Sequence, residues 1–490
     1  MAESPTKTAL RTFSAASAPG DPDSLDAIKG HAPTVVITRL TPSIDGGRYQ
    51  LKRLPWEILA VEADIFRDGH DILTARLLSR RKGESSWTET MMVQGDSDRW
   101  YASCAFPEHG LYQYTIQAWS ELWLSWCHDF GKKHDAGMDD LATEILEGSL
   151  LVVAAARRAG EADHRDQAGA LLAAGETLRA SATPTAAAAA IESEKLHALM
   201  EVWSDRSLAT TAEAPHEVWV DRERAGFSSW YEFFPRGAEG RGDKHSTLRD
   251  CVPRLEAASA MGFDVIYFPP IHPIGITARK GADNALEAGP GDPGSPWAIG
   301  GSAGGHRSVE PALGTLEDFV WLLGQARERG LEIALDFAIN CSPDHPYVRE
   351  HPEWFFQRPD GSIKYAENPP KKYQDIYPLD FHCADWRNLW REMLELVLFW
   401  VDQGVLIFRV DNPHTKPFAF WEYLIAEVRA VAPDTLFFAE AFTRPKLMQM
   451  LGKIGFSMSY TYFTWRHSRE DFVEYLTELT NPEMADYFRA

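Results

Sequence analysis

The chain has 490 residues, with 49 lysines and arginines against 71 aspartates and glutamates, and a formal net charge of −22. So acidic a protein is poorly suited to nucleic acid or an anionic membrane as its main partner, because both require basic surface. Hydrophobic residues make up 44% of the chain, yet no apolar run reaches the ~18 residues of a membrane span. Length and composition predict a soluble globular protein of roughly two to four domains.

The five cysteines include no C-x-x-C pair and no spacing typical of a zinc site or a disulfide framework. The N-terminus also lacks the apolar core of a secretion signal. These features predict a reducing, cytoplasmic setting. No histidine and carboxylate grouping has metal-ligand spacing, so neither a metal nor another cofactor is expected.

The N-terminal part of the chain changes character three times. Residues 1–32 are rich in Ala, Ser, Pro and Asp and predict a disordered tail, whereas residues 33–129 alternate short apolar runs with turns and predict an N-terminal β-sandwich. Residues 130–212 are rich in helix-forming residues, and residues 213–225 resemble a returning strand and a linker. This order predicts a helical insertion in the sandwich, which serves either as a dimerisation element or as a mere spacer.

The helical insertion is expected to contain several helices. Two of them cover residues 150–159 and 168–180, and Thr183-Pro184 interrupts the pattern. A further single helix is predicted near residues 186–200.

Residues 226–490 alternate predicted strands with amphipathic helices. The strands are expected at residues 229–233, 264–268, 332–337, 405–410 and 435–439, and the helices at 248–261, 316–329 and 386–401. Short strands that are almost entirely apolar are typical of parallel strands buried on both faces. The segment is therefore predicted to be α/β, either a (β/α) barrel or an open doubly wound sheet. The polar, aromatic stretch 341–385 is expected to form a small inserted subdomain.

Polar residues occur where successive predicted strands end. Asp336 lies within the third strand and Asn340 follows it, Arg409 and Asp411 close the fourth, and Glu440 closes the fifth. In a barrel these ends meet at one face, where active sites form. Two facing carboxylates suit glycosidic chemistry, in which an ionised one attacks the anomeric carbon and one with a raised pKa protonates the leaving oxygen. One such carboxylate is as often a helix cap, but the whole set argues for a site.

At these residues the sequence resembles a known family. The segments Asp336–Asn340, Phe408–Asn412 and Phe438–Ala441 resemble three of the four signature regions of the α-amylase superfamily, glycoside hydrolase family 13. Longer segments are similar to the bacterial maltosyltransferases that extend α-1,4-glucans with α-maltose 1-phosphate, and they are Trp230–Pro235, Pro269–Gly275, residues 288–301, Asn368–Tyr373 and Glu440–Pro445. The similarity extends from about residue 34 to the end of the chain.

The resemblance implies a (β/α)8-type barrel that transfers maltosyl units to the non-reducing end of α-1,4-glucans, with retention of configuration and release of phosphate. The dimerisation role considered for the helical insertion makes a homodimer the expected form. Asp411 would be the nucleophile, Glu440 the general acid/base, and Arg409 the residue that orients Asp411 and keeps it charged. Four further residues match positions around the donor sugar and its phosphate, and they are Lys280, Asn368, Tyr373 and Asn412.

The sequence departs from the family pattern in several places. Asn340 replaces a glutamine that would contact the donor, and Cys341 stands where many amylases have histidine. The superfamily's third carboxylate belongs to a seventh strand, and no residue of this chain matches it. After Glu440 the chain has room for a helix, a sixth strand near Phe456–Thr464 and one helix more. Strands seven and eight are therefore expected to be missing, as in a C-terminally truncated enzyme with little or no activity.

Two other interpretations remain open. One is another enzyme of the superfamily, such as an α-amylase or a trehalose synthase, and the other is an inactive glucan-binding module. His272 and His414 flank the motifs, and each either lines the sugar site, caps a helix or fills the core.

Overall fold

The computed structural model describes residues 34–240 and 245–490, so the tail predicted for residues 1–32 lies outside the described residues. The chain divides into two compact units. The first contains residues 34–43, 58–104 and 113–216, and the second contains residues 44–57, 105–112 and 217–490. Among the described residues, no helix combines the length and the apolar character needed to cross a membrane.

The strands of the described residues are, in chain order, β1 (Val35–Thr41), β2 (Leu51–Arg53), β3 (Leu59–Arg67), β4 (Leu73–Arg81), β5 (Thr88–Met91), β6 (Val93–Gln94), β7 (Arg99–Cys104), β8 (Gly110–Ser120), β9 (Thr210–Thr211), β10 (His216–Val220), β11 (Trp230–Glu232), β12 (Val265–Phe268), β13 (Glu332–Phe337), β14 (Asn340–Cys341), β15 (Ala366–Asn368), β16 (Lys371–Tyr373), β17 (Tyr377–Pro378), β18 (Ile407–Asp411), β19 (Leu436–Glu440) and β20 (Met458–Ser459).

The helices of the same residues are α1 (Leu122–Asp135), α2 (Ala142–Glu161), α3 (Arg165–Arg179), α4 (Pro184–Ile191), α5 (Glu194–Val202), α6 (Val252–Ala260), α7 (Leu316–Glu328), α8 (Pro346–Glu350), α9 (Trp386–Asp402), α10 (Phe418–Val431), α11 (Pro445–Lys453), α12 (Arg469–Leu479) and α13 (Pro482–Ala485).

The first unit contains two β-sheets. One has the strand order β1-β3-β7-β6, with antiparallel neighbours throughout. The other places β4 between β8 and β5, and β9 pairs with β8. Alternate residues of β3, from Leu59 to Ile65, are buried, as expected for a strand with one face towards a core.

Helices α1–α5 of the first unit enclose their own hydrophobic core. Trp126 stacks between Trp123 and Phe130, with ring centroids 5.1 and 5.2 Å apart. The first helix begins at Leu122, ahead of the boundary predicted at residue 130.

The single helix predicted for residues 186–200 is wrong, because the structure contains two helices there. The Ser193 hydroxyl accepts a hydrogen bond from the Leu196 N–H and so caps α5. Serine favours such helix starts because its side chain replaces a missing backbone partner. Hydrophobic periodicity alone does not reveal a capping hydrogen bond of this kind, so it does not show where one helix ends and the next begins.

The second unit is built on a six-stranded parallel sheet with the order β11-β12-β13-β18-β19-β20. The first three of these strands lie within the predicted segments, and β18 and β19 overlap theirs but end one residue beyond them. The ring of Trp230 on β11 lies 4.7 Å from that of Phe438 on β19, although four strand spacings of a flat sheet would separate them by about 19 Å. The sheet is therefore strongly rolled, and the predicted mixed α/β class with a parallel sheet is confirmed.

Helices between these strands cover the outer face of the sheet with apolar residues. In α9 the buried residues recur at helical spacing and are Leu389, Met393, Leu396, Val397 and Trp400. Helix α7 begins at a capping box, in which Thr315 and Asp318 exchange side-chain and backbone hydrogen bonds. These helices hold the strands in a register that brings the polar strand ends together.

Candidate active site

The strand register places the predicted site residues side by side at the carboxyl ends of the sheet. Asp336 on β13 is the register partner of Arg409 on β18, and Asp411 on β18 is the partner of Glu440 on β19. Adjacent parallel strands are about 4.8 Å apart. The four side chains, drawn from three neighbouring strands, therefore converge on one point, as the sequence predicted.

The guanidinium of Arg409 is the centre of this cluster. Its Nη1 lies 2.8 Å from Asp336 Oδ2 and 3.0 Å from Asp411 Oδ1, and its Nη2 lies 2.5 Å from Glu440 Oε1. Asp336, Arg409 and Asp411 are all buried. One guanidinium thus orients three carboxylates through charge-assisted hydrogen bonds.

The three carboxylates outnumber the cations that face them. Lys416, the other nearby cation, places its Nζ 3.5 Å from the Asp411 carbonyl oxygen, and burial lowers the pKa of this lysine against the pull of Asp411. Burial raises the pKa of Glu440 to about 7 and that of Asp336 to about 7, despite the opposing charge of Arg409. The cluster therefore retains a proton near neutral pH, which suits an acid and a nucleophile working side by side.

The backbone after Asp411 is bent sharply. Asn412 has a φ of +43°, in the left-handed region that asparagine tolerates better than most residues. Its N–H points at Glu440 Oε2 at 3.4 Å. Asn340 donates from Nδ2 to Asp411 Oδ2 at 3.2 Å, so it holds the second oxygen of that carboxylate.

A cleft of about 1280 Å³ opens above this cluster. Six predicted residues line it, and they are Lys280, Asn340, Asn368, Tyr373, Asp411 and Asn412. Residues 341–385 supply much of the wall, including the hairpin of β15 and β16 on which Asn368 pairs with Lys371. Aromatic residues in the lining, including Trp297, Phe356 and Tyr365, offer faces on which a sugar ring can stack.

Two predicted residues, Arg409 and Glu440, are not part of the cleft lining. Arg409 is covered by the carboxylates that it binds, and Glu440 sits beside Asp411 on the next strand. The two histidines whose roles the sequence left open occupy different environments. His414 lines the cleft, whereas His272 is buried with its Nδ1 at 3.1 Å from the Ser308 carbonyl oxygen, and burial lowers its pKa to about 4.

The structure adds residues that the sequence analysis missed. The Tyr267 hydroxyl donates to Asp336 Oδ2 at 2.5 Å. The lining of the cleft also includes Lys416, Asp375 and Trp297. The sequence could have indicated Tyr267, because a hydroxyl group within the short apolar strand 265–268 needs a buried polar partner. Asp375 lies in a loop without periodicity, so only the folded chain reveals its place.

A buried group of possible metal ligands lies outside the cleft lining. His306, Cys341 and His345 have ligand atoms within 4.8 Å of one another. However, His306 Nδ1 and His345 Nε2 hydrogen-bond each other at 3.0 Å, and the other nitrogens pair with the Ala338 carbonyl and the Tyr347 N–H. All four ring nitrogens are thus occupied, and the group acts as a structural network.

Comparisons with known proteins give the family. A family model described as "Alpha-1,4-glucan:maltose-1-phosphate maltosyltransferase, domain N/S" matches residues 33–222. Proteins with that enzyme name from Chlorobaculum tepidum and Myxococcus xanthus are 49% and 48% identical, each over 93% of this chain. The chain spans 67% and 69% of their respective lengths.

Among solved structures, an α-amylase from Lactobacillus plantarum is 26% identical, with a TM-score of 0.42, over 52% of this chain and 60% of that one. The two sequence relatives carry the assignment, because their identity is high and the match covers at least two thirds of each relative. The chain therefore belongs to the α-1,4-glucan:maltose-1-phosphate maltosyltransferase family.

Proposed function

We propose that this protein transfers maltosyl units from α-maltose 1-phosphate to the non-reducing end of α-1,4-glucans, with retention of configuration and release of phosphate. The observation that carries the proposal is the cluster in which Arg409 binds Asp411 and Glu440 at 3.0 and 2.5 Å on adjacent strands. The names of the relatives supply the donor and the acceptor.

In the first step, a carboxylate oxygen of Asp411 attacks the anomeric carbon while the bond to the phosphate oxygen breaks. Glu440, whose pKa burial raises to about 7, gives its proton to the leaving phosphate. In the second step, Glu440 removes the proton of an acceptor hydroxyl, and that oxygen displaces Asp411 from the sugar. Two inversions give overall retention.

Several broader features accompany this proposal. The rolled six-stranded sheet that begins with β11 and ends with β20 belongs to a (β/α)8-type barrel, the active form is a homodimer, and the location is cytoplasmic. Cys127, Cys251, Cys341 and Cys383 are thiols, which fits a reducing compartment.

The nucleophile is tested by trapping the covalent intermediate. A 5-fluoro-α-maltosyl fluoride should add one fluoromaltosyl group to the protein, and peptide mapping should locate it on Asp411. Asp411→Ala should abolish the label, whereas Asp402→Asn, an exposed matched acid at the end of α9, should label normally. A label on another residue would contradict the assignment.

The overall reaction is tested by product analysis with α-maltose 1-phosphate and maltotetraose. Phosphate release together with chain growth in maltosyl steps is expected. New reducing ends that depend on water would instead identify a hydrolase, and trehalose would identify an isomerase. Glucan binding without turnover, unchanged in Asp411→Ala, would identify a binding module.

A further inference from the structure

A sheet of the first unit carries a hollow of about 460 Å³ over strands β4, β5 and β8. Thr211, Glu213 and Pro215 also belong to its wall. Every residue that lines it lies in the first unit, whereas the cleft above Arg409 is lined by residues of the second unit. Its volume is within the range of small-molecule pockets, roughly 300–1,000 Å³. The hollow is therefore a candidate for a second binding site.

A buried hydroxyl group without a partner lies in the wall of this hollow. Thr115 is 2% exposed, and its Oγ1 has no hydrogen-bond partner among the described residues. Thr115 alternates along β8 with Tyr114 and Ile116, which are fully buried in the core, so its side chain points to the opposite face of the sheet. Buried polar atoms are rarely left unpaired, because each one costs about 1–3 kcal/mol. The Thr115 hydroxyl therefore indicates that a ligand completes it.

Other polar groups of the wall can also bind hydroxyl groups. Gln117 Nε2 donates to Thr211 Oγ1 at 3.2 Å, and in the described part of the chain the side-chain oxygen of Gln117 accepts no hydrogen bond. Both carboxylate oxygens of Glu89 accept from Arg206, at 2.7 and 2.9 Å, and each oxygen can accept once more. The wall thus offers several acceptors and a hydroxyl donor, as the hydroxyl groups of a sugar require.

An aromatic ring forms another part of the wall. Trp87 lies in the connection between β4 and β5 and is half-buried. The Arg80 guanidinium lies 4.0 Å from the centre of its indole ring and also binds Gln113 Oε1 at 3.2 Å. These contacts hold the ring in place and occupy one of its faces. The other face can stack on the apolar side of a sugar ring.

The charges around the hollow favour a neutral ligand. Glu89 and Glu213 are acidic residues of the wall, and the hydrogen bond from Arg206 lowers the pKa of Glu89. The Arg206 guanidinium already neutralises Glu89 through two hydrogen bonds. A phosphorylated ligand would be repelled by the remaining carboxylate, whereas a sugar chain without charge meets no such repulsion.

We infer that this hollow is a second binding site for α-1,4-glucan, in which Trp87 stacks on a glucosyl ring while Thr115 and Gln117 hydrogen-bond its hydroxyl groups. The choice of ligand rests on the proposed function, because that function supplies the acceptor polymer. A polymer can be bound at more than one place along its length. A second attachment raises its overall affinity without any change at the reacting bond.

Titration calorimetry with maltoheptaose tests the site through two variants. Trp87→Ala removes the stacking face and should weaken binding at this site by at least about tenfold. Thr115→Val removes only the hydroxyl group and keeps the shape of the side chain. Because that hydroxyl has no protein partner, the valine should leave Tm unchanged or raise it. The same substitution should weaken maltoheptaose binding by about three- to tenfold.

Phe66→Ala is the matched control, because Phe66 is an aromatic residue, 41% exposed, on strand β3 in the other sheet of the first unit. It should bind maltoheptaose as the unaltered protein does. Trp87→Phe keeps an aromatic face and should restore most of the affinity that Trp87→Ala loses. Titrations that are identical for the unaltered protein, Trp87→Ala and Thr115→Val would overturn the inference.

The same titrations separate this inference from the proposed function. If the cleft of the second unit also binds glucan, the unaltered protein should show two binding events, of which Trp87→Ala removes one. A single event that Trp87→Ala removes would still support the site in the hollow. If the unaltered protein turns over no maltosyl donor, the proposed function fails, whereas the loss of maltoheptaose binding in the two variants still decides the inference.

Discussion

Glu440 shares the guanidinium of Arg409 with two other carboxylates, and as the proposed general acid it should set the alkaline limit of the reaction. Burial raises the pKa of Glu440 to about 7. A general acid works only when it is protonated, so activity is lost as the pH rises through the pKa of the folded protein. We therefore expect kcat/KM for α-maltose 1-phosphate to decline above about pH 7.

The leaving group provides the control for this pH prediction. Fluoride departs with little help from an acid, so kcat/KM for α-maltosyl fluoride should lack the alkaline decline. Steady-state profiles from pH 5 to 9 with both donors measure the difference. An identical alkaline decline for the two donors would show that another group, or unfolding, limits the rate.

At the residue scale, the sequence predicted the positions of the paired carboxylates better than it predicted the other residues around the cleft. Asp411 and Glu440 were predictable because each closes a short apolar strand, and strand ends of a parallel sheet converge. The sequence analysis missed Tyr267 and Asp375 for different reasons. Tyr267 lies in a strand whose other residues are apolar, so it was counted as part of the apolar pattern. Asp375 lines the cleft because of the path of its loop, which hydrophobic periodicity does not predict.

At the element scale, two helical glycines of the first unit make a matched pair. A Cβ at Gly148 of α2 would lie 2.2 Å from the ring of Trp126, whereas a Cβ at Gly169 of α3 would meet nothing within 4 Å. Trp126 is fixed by its stacking and by a hydrogen bond to the Glu144 carbonyl oxygen. The ring cannot move aside without disturbing the core of α1 and α2.

Gly169→Ala should raise the free energy of unfolding by about 0.5–1 kcal/mol, because alanine is the better helix former. Gly148→Ala should lower it by about 1–3 kcal/mol through overpacking. Urea unfolding followed by circular dichroism measures both changes. Stabilisation by both substitutions would show that Trp126 adapts and that this packing is not tight.

Strands and helices with a clear hydrophobic pattern were predictable from the sequence. The turns that shorten or divide such elements were not. Strand β13 occupies the predicted residues 332–337, and α9 extends the predicted helix 386–401 by one residue. The sixth strand was predicted for Phe456–Thr464, but it is only Met458–Ser459, because a 3-10 turn covers residues 462–465. Such short-range turns depend on side-chain and backbone hydrogen bonds that composition does not reveal.

At the scale of the whole molecule, the helices of the first unit leave an apolar stripe uncovered. Leu146, Leu150 and Val153 of α2 are exposed, and their spacing of four and three residues places them on one face of the helix. The chain has a net charge of −22 and many charged residues that could cover its surface. Contiguous exposed apolar residues on one helix therefore indicate an interface. The stripe therefore supports the proposed homodimer and gives a position at which to test it.

Leu150, which is 56% exposed at the centre of the stripe, is the residue to change. Two copies of a C2 interface meet through the same patch, so Leu150→Glu would bring two negative charges into one apolar contact. We expect sedimentation equilibrium to show a dimer for the unaltered protein and a dissociation constant at least about a hundredfold higher for the variant. Val93→Glu, at a residue 67% exposed on β6, should leave the dimer intact. A protein that stays monomeric at every concentration would contradict the homodimer, and a Leu150→Glu variant as tightly dimeric as Val93→Glu would place the interface elsewhere.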